Sequence, residues 1–195
     1  MKKLVPDDAI LIPDSAECVF RGEIFDVYQW PQPLFDGSVA AFEMLKRPDT
    51  VIIIGIVDDK MVVLEDDQPH RGLYRSFPGG RVDDGEDILA AAQREMREES
   101  GYSFAQWKLL DVQQPQVKIE WFVHVYLAWR VVGRGQPHMD AGERISVSLE
   151  SYDTARTMAQ TRGSYVGESR HLFDAAPTLD SLMRLPEYTG KTVDR

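Results

Sequence analysis

Cysteine pairs, membrane-length apolar runs and an excess of positive charge are all missing from this chain of 195 residues. The lone Cys18 cannot form an internal disulfide and lies in an alternating, strand-like stretch, so we expect it to pack rather than react. No apolar run approaches the length of a membrane span, so no membrane role is expected. The N-terminal residues MKKLVPDDAILIP carry acids within a brief apolar run and fail as a secretory signal, which makes a cytoplasmic location the default expectation.

The chain carries more acidic than basic residues, which disfavours polyanionic partners. Lys and Arg number 22 against 32 Asp and Glu, for a formal net charge of −10. Nucleic-acid binding depends mainly on Lys and Arg against phosphate, so no nucleic-acid partner is expected. A small nucleotide remains compatible with this charge, because a bound cation can neutralise it locally. The 4 histidines are too scattered for a zinc-binding pattern.

Residues 80–102, GRVDDGEDILAAAQREMREESGY, combine glycine turns, an apolar stripe and a cluster of acids. The apolar positions are Ile88, Leu89, Ala92 and Met96. Their spacing predicts an amphipathic helix whose apolar stripe faces the core. We expect this helix to begin near Glu86 with Asp84 as its cap, and to end at Gly101.

Three glutamates share one face of the predicted helix. Glu95, Glu98 and Glu99 stand at i, i+3 and i+4, where side chains converge. Carboxylates this close repel one another unless a cation lies between them. Oxygen ligands that fill only part of the coordination shell favour Mg²⁺, which takes water and phosphate oxygens as its remaining ligands. The alternative is a solvated acidic surface, but ordinary surface helices intersperse Lys or Arg with Glu.

The residues around this face offer support for such a site. Arg94 is placed to hold Glu86, or a carboxylate in the loop, by charge-assisted hydrogen bonds. Gly79 and Gly80 precede the helix and let the backbone approach closely, so the Gly79 carbonyl is a candidate for a further metal ligand.

The segment resembles the signature of the Nudix hydrolases, Gly-x5-Glu-x7-Arg-Glu-apolar-x-Glu-Glu-x-Gly-apolar, and fills every specified position. The resemblance implies an α/β/α sandwich with a mixed sheet. It also implies hydrolysis of a nucleoside diphosphate linked to another group, with Mg²⁺ as cofactor and Mn²⁺ as a substitute. The implied metal ligands are Glu95, Glu98, Glu99 and the Gly79 carbonyl, with Arg94 and Glu98 as catalytic residues and Glu86 and Gly80 as supports of the metal site.

The order of predicted elements agrees with that fold. Residues 1–48 are expected to form a small N-terminal antiparallel β unit, and residues 49–195 the catalytic domain. Strands are predicted at 16–20, 23–30, 38–46, 51–57, 61–65, 107–112, 119–132 and 144–147, and a helix at about 150–161, with an amphipathic segment at 179–185. The run 51–57 is apolar and β-branched, which is typical of a buried central strand.

Within the family, the flanking sequence is most similar to the ADP-ribose pyrophosphatase group. The likeness lies in the N-terminal β unit that leads through 42–47 into the apolar strand, in Pro115, and in the acidic loop 140–145. It implies ADP-ribose as the substrate, cleaved to AMP and ribose 5-phosphate. It also implies a homodimer in which the small N-terminal unit helps to form the adenine site.

Residues 68–71 and 76–80 depart from that group. Where its members often carry Gln-x-Arg and then Glu-Leu-Pro-Ala-Gly, this chain has Gln-Pro-His-Arg and Ser-Phe-Pro-Gly-Gly. The Pro-Gly-Gly form recurs among relatives that hydrolyse nucleoside triphosphates or nucleotide sugars, and a pyrophosphohydrolase of that kind is the first alternative. A non-catalytic nucleotide-sensing module is the second, although it would be expected to lose metal-binding glutamates.

Several further residues are candidates for chemistry or substrate binding. Glu143 is the leading candidate for the base that takes a proton from the attacking water, with Asp140 and Glu150 as competitors. Glu120 is expected either to contact the substrate or to be a structural strand acid. Arg71 is a fork-shaped donor for a phosphate, or an exposed arginine.

Aromatic residues are concentrated near the N-terminus. Phe25 and Tyr28, with Trp30, offer ring faces on which an adenine can stack. Their alternating positions on a strand suit core or dimer packing as well. Because the aromatic-rich stretch 20–35 precedes a domain that already has a core, it predicts a homodimer interface.

Overall fold

The apolar run that the sequence marks as a buried strand forms the middle of a mixed sheet. The computed structural model describes residues 2–69, 72–138, 144–161 and 166–194. The strands in these ranges are β1 (Lys2–Val5), β2 (Glu17–Arg21), β3 (Asp26–Pro33), β4 (Val39–Lys46), β5 (Thr50–Val57), β6 (Lys60–Gln68), β7 (Gly72–Ser76), β8 (Gly79–Arg81), β9 (Tyr102–Gln113), β10 (Ile119–Glu120), β11 (Val123–Arg134), β12 (Arg144–Glu150) and β13 (Lys191–Asp194). The helices are α1 (Ile88–Ser100), α2 (Tyr152–Gln160), α3 (Arg170–Ala175) and α4 (Leu179–Met183), with a 3-10 turn at Gly167–Ser169. None of these described helices is long and apolar enough to cross a membrane.

The central sheet runs in the order β12-β6-β5-β11-β9, with β7 paired to β6 and β8 paired to β5. β11 is parallel to β5, whereas β6 and β8 are antiparallel to it. Because side chains alternate along β5, Ile53 packs in a cluster with α1, and Ile54 packs with α2, α3 and α4 on the opposite face. This arrangement confirms the predicted α/β/α sandwich with a mixed sheet.

The start of α1 differs from the expectation. The helix begins at Ile88 rather than near Glu86, and its N-cap is Asp87 rather than Asp84. The Asp87 carboxylate accepts two N–H groups of the first turn, at 3.0 and 3.1 Å. Glu86 instead closes the preceding turn, where its N–H donates to the Asp83 carbonyl at 3.0 Å. The predicted cap was wrong because this turn takes up the residues that would otherwise form the first helical positions.

Gly101 ends α1, as expected, and ties the helix to a later segment. Its φ of +76° is a left-handed conformation that glycine adopts without strain, and its N–H donates to the Arg97 carbonyl. The Gly101 carbonyl accepts the N–H of Gly135 at 2.8 Å, and the Glu98 carbonyl accepts the N–H of His138 at 2.7 Å. These bonds bring the segment 135–138 alongside the acidic face of the helix.

β2, β3 and β4 form an antiparallel sheet, which confirms the small N-terminal β unit. This sheet also takes β10, in parallel with β4, from the later part of the chain. The single strand predicted at 119–132 is therefore wrong, because β10 joins the N-terminal sheet and β11 the central one. The chain changes sheet at Trp121 and Phe122, where the Phe122 N–H donates to the Asp49 carboxylate at 3.0 Å. β1 and β13 pair in a separate antiparallel ribbon.

Candidate active site

The acidic face of α1 lines a pocket of about 520 Å³. β8 forms another wall of the pocket, since it follows directly on the turn at Pro78 and pairs with β5. The lining residues are Gly79, Gly80, Arg81, Asp83, Arg94, Glu95, Glu98, Glu99 and His138. The structure thus brings together all the signature residues that the sequence assigned to metal binding. His138 was missed, because only the backbone bond to Glu98 places it there.

Arg94 donates hydrogen bonds to three acidic side chains of the cluster. Its Nε and Nη2 donate to the two carboxylate oxygens of Glu86 at 3.0 and 2.9 Å, a bidentate pair. Its Nη1 donates to Glu95 at 2.8 Å and to Glu98 at 3.2 Å. The hydrogen bonds from Arg94 lower the pKa of Glu86. The hydrogen bonds to its acidic partners, above all the one to Glu86, raise the pKa of Arg94. Glu86 and Arg94 are therefore both held in their charged forms.

Two backbone contacts fix the remaining carboxylates. Glu99 accepts the N–H of Gly79 at 2.7 Å. Glu95 lies against Gly80 so closely that a Cβ at that position would stand 2.5 Å from its Cδ. The absence of a side chain at position 80 is therefore what makes room for the Glu95 carboxylate.

The donor set fits a hard divalent cation. Three carboxylates with oxygen ligands face one pocket, which is the chemistry that Mg²⁺ prefers. Among the described residues no three acidic, imidazole or thiol groups are already gathered around one point. The reason lies in the contacts above, since Arg94 draws Glu95 and Glu98 toward itself while Glu99 turns to the Gly79 N–H.

A second pocket, of about 530 Å³, adjoins the first and shares Gly79, Gly80 and Glu99 with it. Its other walls come from separate elements: Arg47 beyond the end of β4, Asp66 and Gln68 on β6, Tyr74 on β7, Trp121 after β10, and Glu168 in the 3-10 turn. Sequence reasoning assigned none of these six to a site. The strand positions of Asp66 and Gln68 carried a signal, because two polar residues at i and i+2 after a buried run lie on one face.

Arg47 is the cation of this second pocket. Its guanidinium carbon lies 4.6 Å from the ring centre of Trp121 and 5.6 Å from that of Phe25. Burial lowers the pKa of Arg47, with a smaller contribution from Arg81. Its Nε is buried without a hydrogen-bond acceptor among the described residues. The side chain is thus a stacked, partly desolvated donor at the rim of the site.

The candidate Glu120 lies in the interior rather than in either pocket. It is 1% exposed, and its carboxylate accepts the Ile12 N–H at 2.7 Å and faces the Lys46 ammonium at 3.4 Å. These contacts favour the structural role over a substrate contact. Glu150, a competitor for the base, pairs with Arg75 across the sheet.

The remaining candidates lie in several places. Phe25 contacts Arg47, and Tyr28 packs with the buried Trp30 in the small core of the N-terminal sheet. Neither Phe25 nor Tyr28 lines the two pockets that border Glu99. Arg71 and Glu143, together with Asp140, lie outside the described residues.

The fold, the signature helix and the carboxylate-lined pocket define a class of protein. A family model for the NUDIX domain matches residues 46–166, more than half of the sequence, and the chain belongs to the Nudix hydrolase family. Members of this family generally use a divalent metal.

Particular relatives narrow the comparison. The chain is 24% identical over 155 residues to the ADP-ribose pyrophosphatase of Bacillus subtilis (strain 168), covering 77% of this chain and 84% of the relative. It is 28% identical over 119 residues to the methanol dehydrogenase activator of Bacillus methanolicus, covering 58% and 63%. It is 29% identical over 91 residues to the ADP compounds hydrolase NudE of Escherichia coli (strain K12), covering 45% and 49%. A crystal structure of an ADP compounds hydrolase has a TM-score of 0.62 at 19% identity, covering 87% of this chain and 89% of that one, which is a likeness of fold.

Proposed function

We propose that the protein is a Mg²⁺-dependent pyrophosphatase that cleaves ADP-ribose, or a close analogue, to AMP and ribose 5-phosphate. The observation that carries the proposal is the shared wall of the two pockets. Glu99, Gly79 and Gly80 border both the carboxylate-lined pocket and the pocket that contains Arg47 and Trp121. A diphosphate at this wall has the metal-binding face on one side and room for an organic group on the other. The ADP-ribose pyrophosphatase similarity, which spans most of both chains, supports the same substrate.

In this proposal Glu95, Glu98, Glu99 and the Gly79 carbonyl hold the cation. When bound, Mg²⁺ supplies positive charge to the diphosphate and makes water more acidic. Glu86 orients Arg94, and Arg94 in turn orients Glu95 and Glu98, by the hydrogen bonds described above. Glu143, which follows His138 in the sequence, accepts the proton of the attacking water.

The organic part of the substrate is bound by the second pocket. Arg47 and Trp121 present a planar cation and a ring face, and both stack well on a nucleobase. Arg71 donates to a phosphate oxygen. Phe25 lies at the edge of this base site through its contact with Arg47, whereas Tyr28 and Glu120 support the N-terminal sheet from within.

The N-terminal sheet also forms a homodimer interface in this proposal. The sheet and its turns expose several large apolar side chains: Val19, Phe20, Ile24, Leu34, Phe35, Val39 and Phe42. Apolar patches of this kind usually mark an interaction surface. A second copy of the chain would cover it and bring two N-terminal units close to the sites.

Product analysis tests the function directly. The protein is incubated with Mg²⁺ and, in separate reactions, ADP-ribose, nucleotide sugars, dinucleoside polyphosphates and nucleoside triphosphates. We expect AMP and ribose 5-phosphate from ADP-ribose as the fastest reaction. Pyrophosphate release from a triphosphate, without cleavage of ADP-ribose, would show the alternative pyrophosphohydrolase. Tight nucleotide binding without any cleavage would show a sensing module.

A further inference from the structure

A buried carboxylate forms part of the second pocket at some distance in the chain from the signature. Asp66 is 4% exposed and lies on β6, on the same face as Gln68. Its Oδ2 accepts the Gln68 amide at 2.8 Å and the hydroxyl of Tyr74, which faces it across the β6–β7 pairing. All three residues line the pocket that also contains Glu99.

This carboxylate has unused capacity to accept hydrogen bonds. No described residue donates to its Oδ1, which is buried. A carboxylate has about four acceptor positions, and leaving a buried one without a donor is unfavourable. The last torsion of an aspartate is broad, so a partial rotation of the carboxylate brings Oδ1 toward the pocket that Asp66 lines. A ligand that brings a donor to Asp66 therefore removes an existing cost.

The charges around Asp66 determine what kind of donor fits. Among the described lining residues of this pocket, Arg47 is the cation, while Asp66, Glu99 and Glu168 are acids. The Arg47 guanidinium lies over the ring of Trp121. An anionic group beside Asp66 would be repelled, whereas a neutral group with hydroxyls would be bound.

We propose that Asp66 selects the group linked to the diphosphate: its carboxylate accepts a hydrogen bond from a sugar hydroxyl and disfavours substrates that end in a third phosphate. This inference rests on the proposed function, because it assumes that the diphosphate lies at the Glu99 wall. It assigns the sugar to the β6 and β7 side of the pocket.

The test compares two esters of ADP in the presence of Mg²⁺, ADP-ribose and the ADP ester of a simple alkyl alcohol that has no hydroxyl left. We measure kcat/KM for both esters, and for ATP, in the wild type, in Asp66→Asn and in Asp67→Asn. Asp66→Asn keeps the shape but replaces one acceptor by a donor and removes the charge. Asp67→Asn is the matched control, since residue 67 lies on the opposite face of β6 and lines neither pocket.

We expect the wild type and Asp67→Asn to prefer ADP-ribose over the alkyl ester by at least about tenfold, the usual size for a hydrogen bond to a charged group. In Asp66→Asn this preference should fall toward unity, and ATP should improve relative to ADP-ribose. An unchanged preference in a folded Asp66→Asn variant overturns the inference and leaves the proposed function intact.

If Asp66→Asn does not fold, the inference is still tested by the ratio of kcat/KM for ADP-ribose to kcat/KM for the alkyl ester in the wild type. A wild type that cleaves both ADP esters equally well overturns the role of Asp66. A wild type that cleaves neither ester overturns both this inference and the proposed function, and the melting temperature of each variant separates these results from misfolding.

Discussion

The carboxylate of Glu95 packs directly on the main chain of Gly80, with its Cδ 2.5 Å and its Oε2 2.7 Å from the place that a Cβ would take. No side chain larger than hydrogen fits there without moving Glu95. Because Glu95 is also held by Arg94, a displacement at this contact would pass to the whole acidic cluster.

Gly80→Ala should therefore lower kcat/KM by roughly 10²-fold, which is the usual effect of displacing a reacting group by about 1 Å. The measurement is steady-state hydrolysis of ADP-ribose with saturating Mg²⁺. Gly133→Ala is the control, because an added Cβ there meets only Ser103, at an ordinary 3.8 Å. Equal activity of the two variants would contradict the proposed importance of the contact.

Glu99→Gln should remove most of the turnover while leaving the fold intact. The substitution deletes one metal-binding charge with little change in volume, and the amide oxygen can still accept the Gly79 N–H. Activity is measured in a Mg²⁺ titration, with Glu187→Gln on the exposed surface as a matched control. Near-normal turnover of Glu99→Gln at saturating Mg²⁺ would argue against the metal assignment.

Glu143→Gln should lower kcat by about 10² to 10⁴-fold with a much smaller change in KM, because a base acts mainly in the transition state. The measurement is full steady-state kinetics on ADP-ribose. Asp140→Asn and Glu150→Gln serve as comparisons. If Glu143→Gln is nearly wild type while one of these is inactive, the base has been assigned to the wrong residue, and the proposed hydrolase function still stands.

The protein should sediment as a dimer at high micromolar concentration. The double substitution Phe20→Glu with Phe35→Glu should give a monomer, because both rings are exposed on the N-terminal sheet, Phe20 at 60%. Val132→Glu, on β11 and exposed at 64%, is the control and should remain dimeric. A wild type that is monomeric under these conditions would exclude the proposed interface.

The ion pair between His171 and Asp111 should make stability depend on pH. The two groups lie 3.2 Å apart and join α3 to β9, and the hydrogen bond to Asp111 raises the pKa of His171 above its usual 6.5. The stabilisation by the ion pair is then complete below the pKa that His171 has in the unfolded chain. It is lost as the pH rises through the higher pKa that His171 has in the folded protein. The difference in free energy of unfolding between wild type and His171→Gln should be larger at about pH 6 than at about pH 9.

Urea unfolding followed by circular dichroism measures this difference at both pH values. In an Asp111→Asn background the His171→Gln substitution should lose its pH dependence, since the partner carboxylate is gone. A difference that is the same at both pH values in the wild-type background would show that the pair does not stabilise the fold.

The parts of the site that sequence reasoning found are those defined by local spacing. Glu95, Glu98 and Glu99 share a face because helix geometry alone puts them there, and Arg94 reaches Glu86 within the same segment. The N-cap was misplaced at Asp84, because the turn closed between Asp83 and Glu86 left no trace in the helical periodicity.

The second pocket could not be predicted, because its walls meet only through the pairing of distant strands. Arg47 follows β4, Asp66 lies near the end of β6, and Trp121 stands where the chain leaves one sheet for another. The same non-local pairing explains why 119–132 looked like a single strand. Its apolar pattern is continuous, and β10 is separated from β11 by its pairing with β4 in the N-terminal sheet.

The insertion of β10 beside β4 makes the two parts of the chain interdependent. Without the N-terminal residues, Glu120 would lose both the Ile12 N–H and the Lys46 ammonium while remaining attached to the start of β11. β10 would also lose β4, the strand with which it pairs, so loss of the N-terminal sheet would loosen the segment that leads directly into β11, a central strand of the catalytic sheet. The two parts should therefore melt in one cooperative transition, and neither can be exchanged for an unrelated module in evolution without a matching change in the other.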